Sequence, residues 1–126
     1  MTRRRWLLGI GALALGTVSP VVAADRYPEI RRLIKKNLHF SGHMTWSVNT
    51  HTIDAVRPHV TEQDIPVLVR MLGDPENVVG IGAQYLLASF GDRAVESLTV
   101  AAQSSDWRVK EKAREALAKI EEDKRR

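Results

Sequence analysis

Residues 65–90 read "IPVLVRMLGDPENVVGIGAQYLLASF", and residues 95–120 read "VESLTVAAQSSDWRVKEKAREALAKI". Set one above the other, the two stretches keep a constant offset of 30. Ile65 meets Val95, Leu68 meets Leu98, and Leu72 meets Ala102. Val79 then meets Val109, Ala83 meets Ala113, Leu87 meets Leu117, and Phe90 meets Ile120. Apolar positions coincide while polar identities drift, as in repeats that stack to bury a common core. Apolar spacings of three and four residues run through both copies, so each unit is expected to form a helix, a short turn and a second helix.

The turn chemistry agrees. "GDPEN" places Gly73 after one helix, with Asp74 as expected N-cap and Pro75 at the first helical position. "SSDW" offers Ser104, Ser105 or Asp106 as cap of the following one. "FGDRA" ends a helix at Gly91 and restarts at Asp92. Upstream, Thr61 of "TEQD" is the expected cap, with Asp64 near the next helix start.

Pro66, Leu68, Leu72, Asp74-Pro75, Val79, Ala83, Leu86-Leu87 and Gly91-Asp92 in the first unit form a pattern. Leu98, Asp106, Arg108-Val109, Ala113, Ala116-Leu117 and Ile120 continue it in the second. The pattern resembles the HEAT-like repeats of phycobilin-lyase-type and related bacterial proteins, over residues 62–121. The resemblance implies an all-α fold whose second helices line an inner, concave face. It is almost silent on function. That family usually has arginine directly after its valine, where this chain has Gly80.

Before the repeats, "YPEIRRLIKKNL" (27–38) is expected to be a first helix, with Ile30, Leu33, Ile34 and Leu38 inward. "WSVNTHTIDAVRPHV" (46–60) is expected to be its helical partner, with Val48, Ile53, Val56 and Val60 inward. The connecting "HFSGHMT" is longer than the later turns, and terminal repeats are atypical because they cap the stack. The expected fold class is therefore all-α, a short right-handed α-solenoid of about three helical hairpins.

Residues 1–24 have the make-up of an export signal, leaving 25–126 as the repeat domain. Arg3, Arg4 and Arg5 precede an uncharged apolar run that closes on "VVAAD". "TRRRWLL" also resembles a twin-arginine motif. The expected destination is the periplasm or the exterior, with no stable membrane insertion once the signal is cleaved. Net charge is +4 over all 126 residues. Without residues 1–24 the basic count falls from 19 to 16 against 15 acidic residues, which argues against nucleic acid as partner. Cysteine is absent, so about 100 residues must hold together by packing, which that size permits.

No nucleophile elbow, phosphate-binding glycine loop or paired-carboxylate motif occurs, and Ser89 sits inside an expected helix with no base named nearby. The expectation is a non-enzymatic chain without a cofactor. All four histidines, His39, His43, His51 and His59, fall within 21 residues. His39 and His43 are weak metal candidates, lacking a supporting Cys or H-E-x-x-H spacing. Trp46 and Trp107 each open an expected second helix, as staples between hairpins or as exposed anchors. Closing "DKRR" reads as a solvated tail.

One helix is odd. "VVGIGAQYLLASFG" (78–91) holds two glycines, each costing about 1 kcal/mol relative to alanine inside a helix. The repeat register makes Val79, Ala83, Leu86, Leu87 and Phe90 core, so Gly80, Ile81, Gln84, Tyr85 and Ala88 should turn away from it. Two readings follow. Either the glycines let neighbouring helices approach, or they leave a notch flanked by Ile81 and Tyr85. On the second reading the chain captures another protein on its second-helix face. The contact set is Gly80, Ile81, Gln84 and Tyr85, with His51, Asp54, Trp107, Lys110 and Arg114 as neighbours. The alternatives are metal or cofactor binding by residues 39–59, and a structural, self-associating repeat fragment.

Overall fold

A computed structural model describes residues 25–42 and 45–126. The 1–24 stretch read as an export signal, and His43 with its metal role, lie outside the described residues. Six α-helices and one two-stranded ribbon make up the described chain. They are α1 (Tyr27–Lys36), the antiparallel ribbon β1 (His39–Phe40) and β2 (Trp46–Ser47), α2 (Thr50–Val56), α3 (Ile65–Met71), α4 (Asn77–Ser89), α5 (Asp92–Ala101) and α6 (Trp107–Lys124). The all-α expectation holds, apart from the small ribbon.

The 30-residue offset is reproduced in the elements themselves. Helix α4 begins at Asn77 and α6 at Trp107, while α3 ends at Met71 and α5 at Ala101. Helices α3, α4, α5 and α6 pack on one another, and α1 and α2 both reach α4. The shared core runs from Ile30 and Ile34 through Leu68, Leu72, Leu86 and Leu87 to Leu98, Ala113 and Ala116, each fully buried. Asp106 caps α6 by accepting the Arg108 amide at 3.0 Å, and Thr61 caps the 3₁₀ turn Glu62–Asp64 that leads into α3.

Three local expectations are corrected. The first helix stops at Lys36, and Leu38 is only half-buried beyond it. Residues 46–49 are not helical: Trp46 pairs with Phe40, and Ser47 with His39, across the ribbon. Asn49 and Thr52 form a capping box that fixes the helix start at Thr50. Asp74 does not cap α4 either. The helix begins two residues after Pro75, because the Asp74 carboxylate is drawn inward to other partners.

Those partners tie α1 to the α3–α4 turn. Asp74, 3% exposed, accepts from the Tyr27 hydroxyl at 2.6 Å, Arg31 Nε at 2.9 Å and the Glu76 amide at 2.8 Å. Arg31 also pairs with Glu76, which takes Lys35 Nζ at 2.8 Å as well. A second tie joins Arg26 to the buried Asp64 at 3.2 Å.

Gly91, between α4 and α5, has φ 61 and ψ −135, a combination almost confined to glycine. Nothing lies within 4 Å of where its Cβ would stand. Gly91→Ala is therefore expected to cost about 1–2 kcal/mol through backbone strain alone. Urea unfolding followed by circular dichroism measures it, and an unchanged midpoint would contradict the assignment.

Candidate functional site

The two glycines of α4 answer the question that its sequence poses. Gly80 is buried: a Cβ there would stand 2.9 Å from Lys112 Cε and 3.0 Å from the Leu72 carbonyl. Gly82 is buried too, and its Cβ would stand 2.9 Å from Ile34 Cγ2. The glycines thus admit the Lys112 stem from α6 and the Ile34 side chain from α1. Of the two readings, close approach of neighbouring helices is the one these contacts match, and the notch at Gly80 is corrected; Ala88, expected to face outward, is buried too. Lys112 is itself buried, its aliphatic stem serving as packing material for α4.

The opening on this side of the molecule lies further along α4. A cleft of about 490 Å³ runs between the start of α2, the second half of α4 and the last turns of α6. Val48, Asn49, Thr50, Ile53 and Asp54 form one wall. Tyr85, Ala88 and Ser89 form the floor, and Lys119 and Asp123 the other wall. Tyr85 is 41% exposed, and no protein group hydrogen-bonds its hydroxyl among the described residues. Ser89 is occupied: its Oγ donates to the Leu86 carbonyl and accepts from Arg57 Nε at 2.8 Å. Arg57 in turn lies 4.0 Å over the Phe90 ring.

The cleft is weakly acidic. Asp54 is exposed and has no ion-pair partner among the described residues, and Asp123 is matched by Lys119 at 3.3 Å. The α6 wall is pinned from outside by Lys124, which meets Asp92 of α5 at 2.7 Å. That hydrogen bond holds the Lys124 ammonium pKa above its ordinary value. The lining mixes Val48, Ile53, Ala88 and the Tyr85 ring with a larger number of polar and charged groups.

Of the residues proposed from sequence, the cleft gathers Asp54 and Tyr85. Ile81, half-buried, lies one helical turn before Tyr85, and Gln84, also half-buried, precedes it directly. Neither lines the cleft. His51 is exposed on α2 without lining the cleft. Lys110 is half-buried, and Arg114 is exposed and 3.6 Å from Glu111. Trp107, 68% exposed, opens α6 twelve residues before Lys119, roughly 18 Å away along the helix. His39, His51 and His59 are all exposed, and no three His, Asp or Glu side chains converge on a metal position among the described residues.

The contact set drawn from sequence missed Val48, Asn49, Thr50, Ile53, Ala88, Ser89, Lys119 and Asp123. One signal was present: Ser89 and Lys119 occupy the same register 30 residues apart, and both line the cleft. No family model, curated protein or solved structure matches the chain.

Proposed function

We propose that this chain is an exported, non-catalytic binding module of HEAT-like repeats, arranged as a short right-handed α-solenoid. It captures a segment of another protein on the side formed by its second helices, α2, α4 and α6. The observation that carries this reading is Tyr85, an exposed aromatic on the floor of a cleft whose remaining groups are largely apolar or already bonded. The matching starts of α4 and α6 at the 30-residue offset support the repeat reading.

The chemistry of the walls favours one kind of segment. Val48, Ile53, Tyr85 and Ala88 suit an apolar side chain, and the carboxylates of Asp54 and Asp123 suit a lysine or arginine beside it. A large aromatic at the centre of such a patch commonly carries much of the binding energy.

A random peptide library displayed on phage and selected on the immobilised full chain tests this. Enriched peptides should pair an aromatic or aliphatic residue with Lys or Arg. Tyr85→Ser is expected to weaken a synthesised winning peptide about 30-fold, and Asp54→Lys about tenfold, by calorimetry. Failure to enrich any such sequence contradicts the reading. So does equal binding by both variants while they remain folded.

A further inference from the structure

The ribbon and the outer row of α1 form a second surface, independent of the cleft. Phe40 and Trp46 are paired in register, so both rings project from one face of the ribbon. Their centroids are 4.8 Å apart, and they remain 46% and 56% exposed. Among the described residues few large apolar side chains are left so open, and here two of them touch.

The surroundings of the rings are cationic. Arg32 and Lys36 stand four residues apart on α1, on one helix face, both exposed. Neither has an ion-pair partner among the described residues. With Lys35 they line a shallow depression along α1. Lys35 and Trp46 line the adjoining one, so the two depressions share Lys35. Glu76, the carboxylate beside Trp46, is already bound by Arg31 and Lys35. Two unmatched positive charges thus stand on α1, in a depression that meets the one lined by Trp46 at Lys35.

We propose that this surface docks peripherally on an anionic lipid bilayer. Tryptophan rings settle at the headgroup level, where an apolar body and a polar edge are both accommodated. Lysine and arginine next to them meet lipid phosphates, each strengthening attachment to an anionic surface about fivefold. Charge complementarity selects this occupant: among the described residues the unpaired charges here, Arg32 and Lys36, are both cations, in the depression adjoining that of Trp46. Among the described residues no helix is long and apolar enough to cross a membrane.

The test uses the full chain carrying Trp6→Phe and Trp107→Phe, which leaves Trp46 as the single tryptophan. Its fluorescence is followed on vesicles with brominated acyl chains, either phosphatidylcholine alone or phosphatidylcholine with phosphatidylglycerol. Quenching at Trp46 reports this surface even when residues 6–24 hold the chain on vesicles of either kind. Expected is quenching on the anionic vesicles, with little on the zwitterionic ones. Adding Arg32→Ala and Lys36→Ala should lower the docking constant read at Trp46 about 25-fold, and raised salt should weaken it in the unsubstituted surface. Two results overturn the proposal. In one, Trp46 stays unquenched on chain that has sedimented with anionic vesicles, which leaves the ring pair to a protein partner. In the other, quenching is equal for the two lipids or unaffected by loss of the two cations.

Discussion

Asp74→Ala is expected to lower stability by about 2–4 kcal/mol in urea unfolding. The carboxylate is almost wholly buried and receives the Tyr27 hydroxyl, the Arg31 guanidinium and the Glu76 amide together. Hydrogen bonds to a buried charge contribute about 1.5–3 kcal/mol each at most, and removing the acceptor strands its donors. Arg31 keeps about a third of its side chain in water, which recovers part of its loss and sets the upper bound. A cost below about 1 kcal/mol would show that Asp74 does not fasten α1 to the α3–α4 turn.

The same cluster predicts how stability follows pH. Burial pushes the Asp74 carboxyl up, but hydrogen bonds from Arg31, Tyr27 and the Glu76 amide outweigh it and hold the pKa below its ordinary value. Lys35, then Arg31, hold Glu76 below its ordinary value too. Both groups thus bind protons less readily folded than unfolded. Their stabilisation is full above the ordinary carboxylate values, about 4, and is lost as pH falls through the depressed ones. At the alkaline end, burial and the Asp74 hydrogen bond push Tyr27 to about 12. Its contribution is full below the ordinary tyrosine value, about 10, and fades as pH rises toward 12. Asp74→Ala should flatten the acid limb. In a Tyr85→Phe background it should also bring the tyrosinate absorbance of Tyr27 in at lower pH.

The second large effect concerns Ile34 and Gly82. Ile34→Ala removes a fully buried side chain and is expected to cost about 2–4 kcal/mol. Gly82→Ala drives a methyl group to 2.9 Å from Ile34 Cγ2, with an overpacking cost of about 1–3 kcal/mol against a helix-propensity gain of about 1 kcal/mol. The two changes are complementary in shape, since the alanine methyl at 82 enters space that Ile34 vacates. The double variant should therefore be more stable than the sum of the single losses implies, by about 1 kcal/mol or more. Additivity within about 0.5 kcal/mol would mean that α1 and α4 do not interlock there.

The repeat was legible because its signal is local and doubled. Leu68 and Leu98, Val79 and Val109, and Ala83 and Ala113 each repeat one spacing, and the helices follow it. What stayed illegible depends on groups far apart in the chain. Asp74 beside Pro75 has the local chemistry of an N-cap, yet partners more than 40 residues away claim its side chain. Gly80 seemed a surface position because the repeat register makes its neighbour Val79 core. Its burial comes from Lys112, a residue that composition alone places in solvent. Trp46 fits the start of a helical pattern, but pairing with Phe40 and the cap at Asn49 made it a strand. The cleft was half legible: Tyr85 and Asp54 stood out, whereas Lys119 and Asp123 looked like ordinary charges on an ion-rich helix.

Helix α6 outruns its copy. Shifted by 30, α4 would end at 119, while α6 continues to Lys124. Asp123, on that overhang, walls the cleft, and the Lys124–Asp92 pair fastens it. Depth and charge of the opening are thus partly set by a parapet that sits beyond the repeating unit. Its exposed residues are free to vary while the stacked interior stays unchanged, so the shape and charge of this opening can drift without a toll on folding.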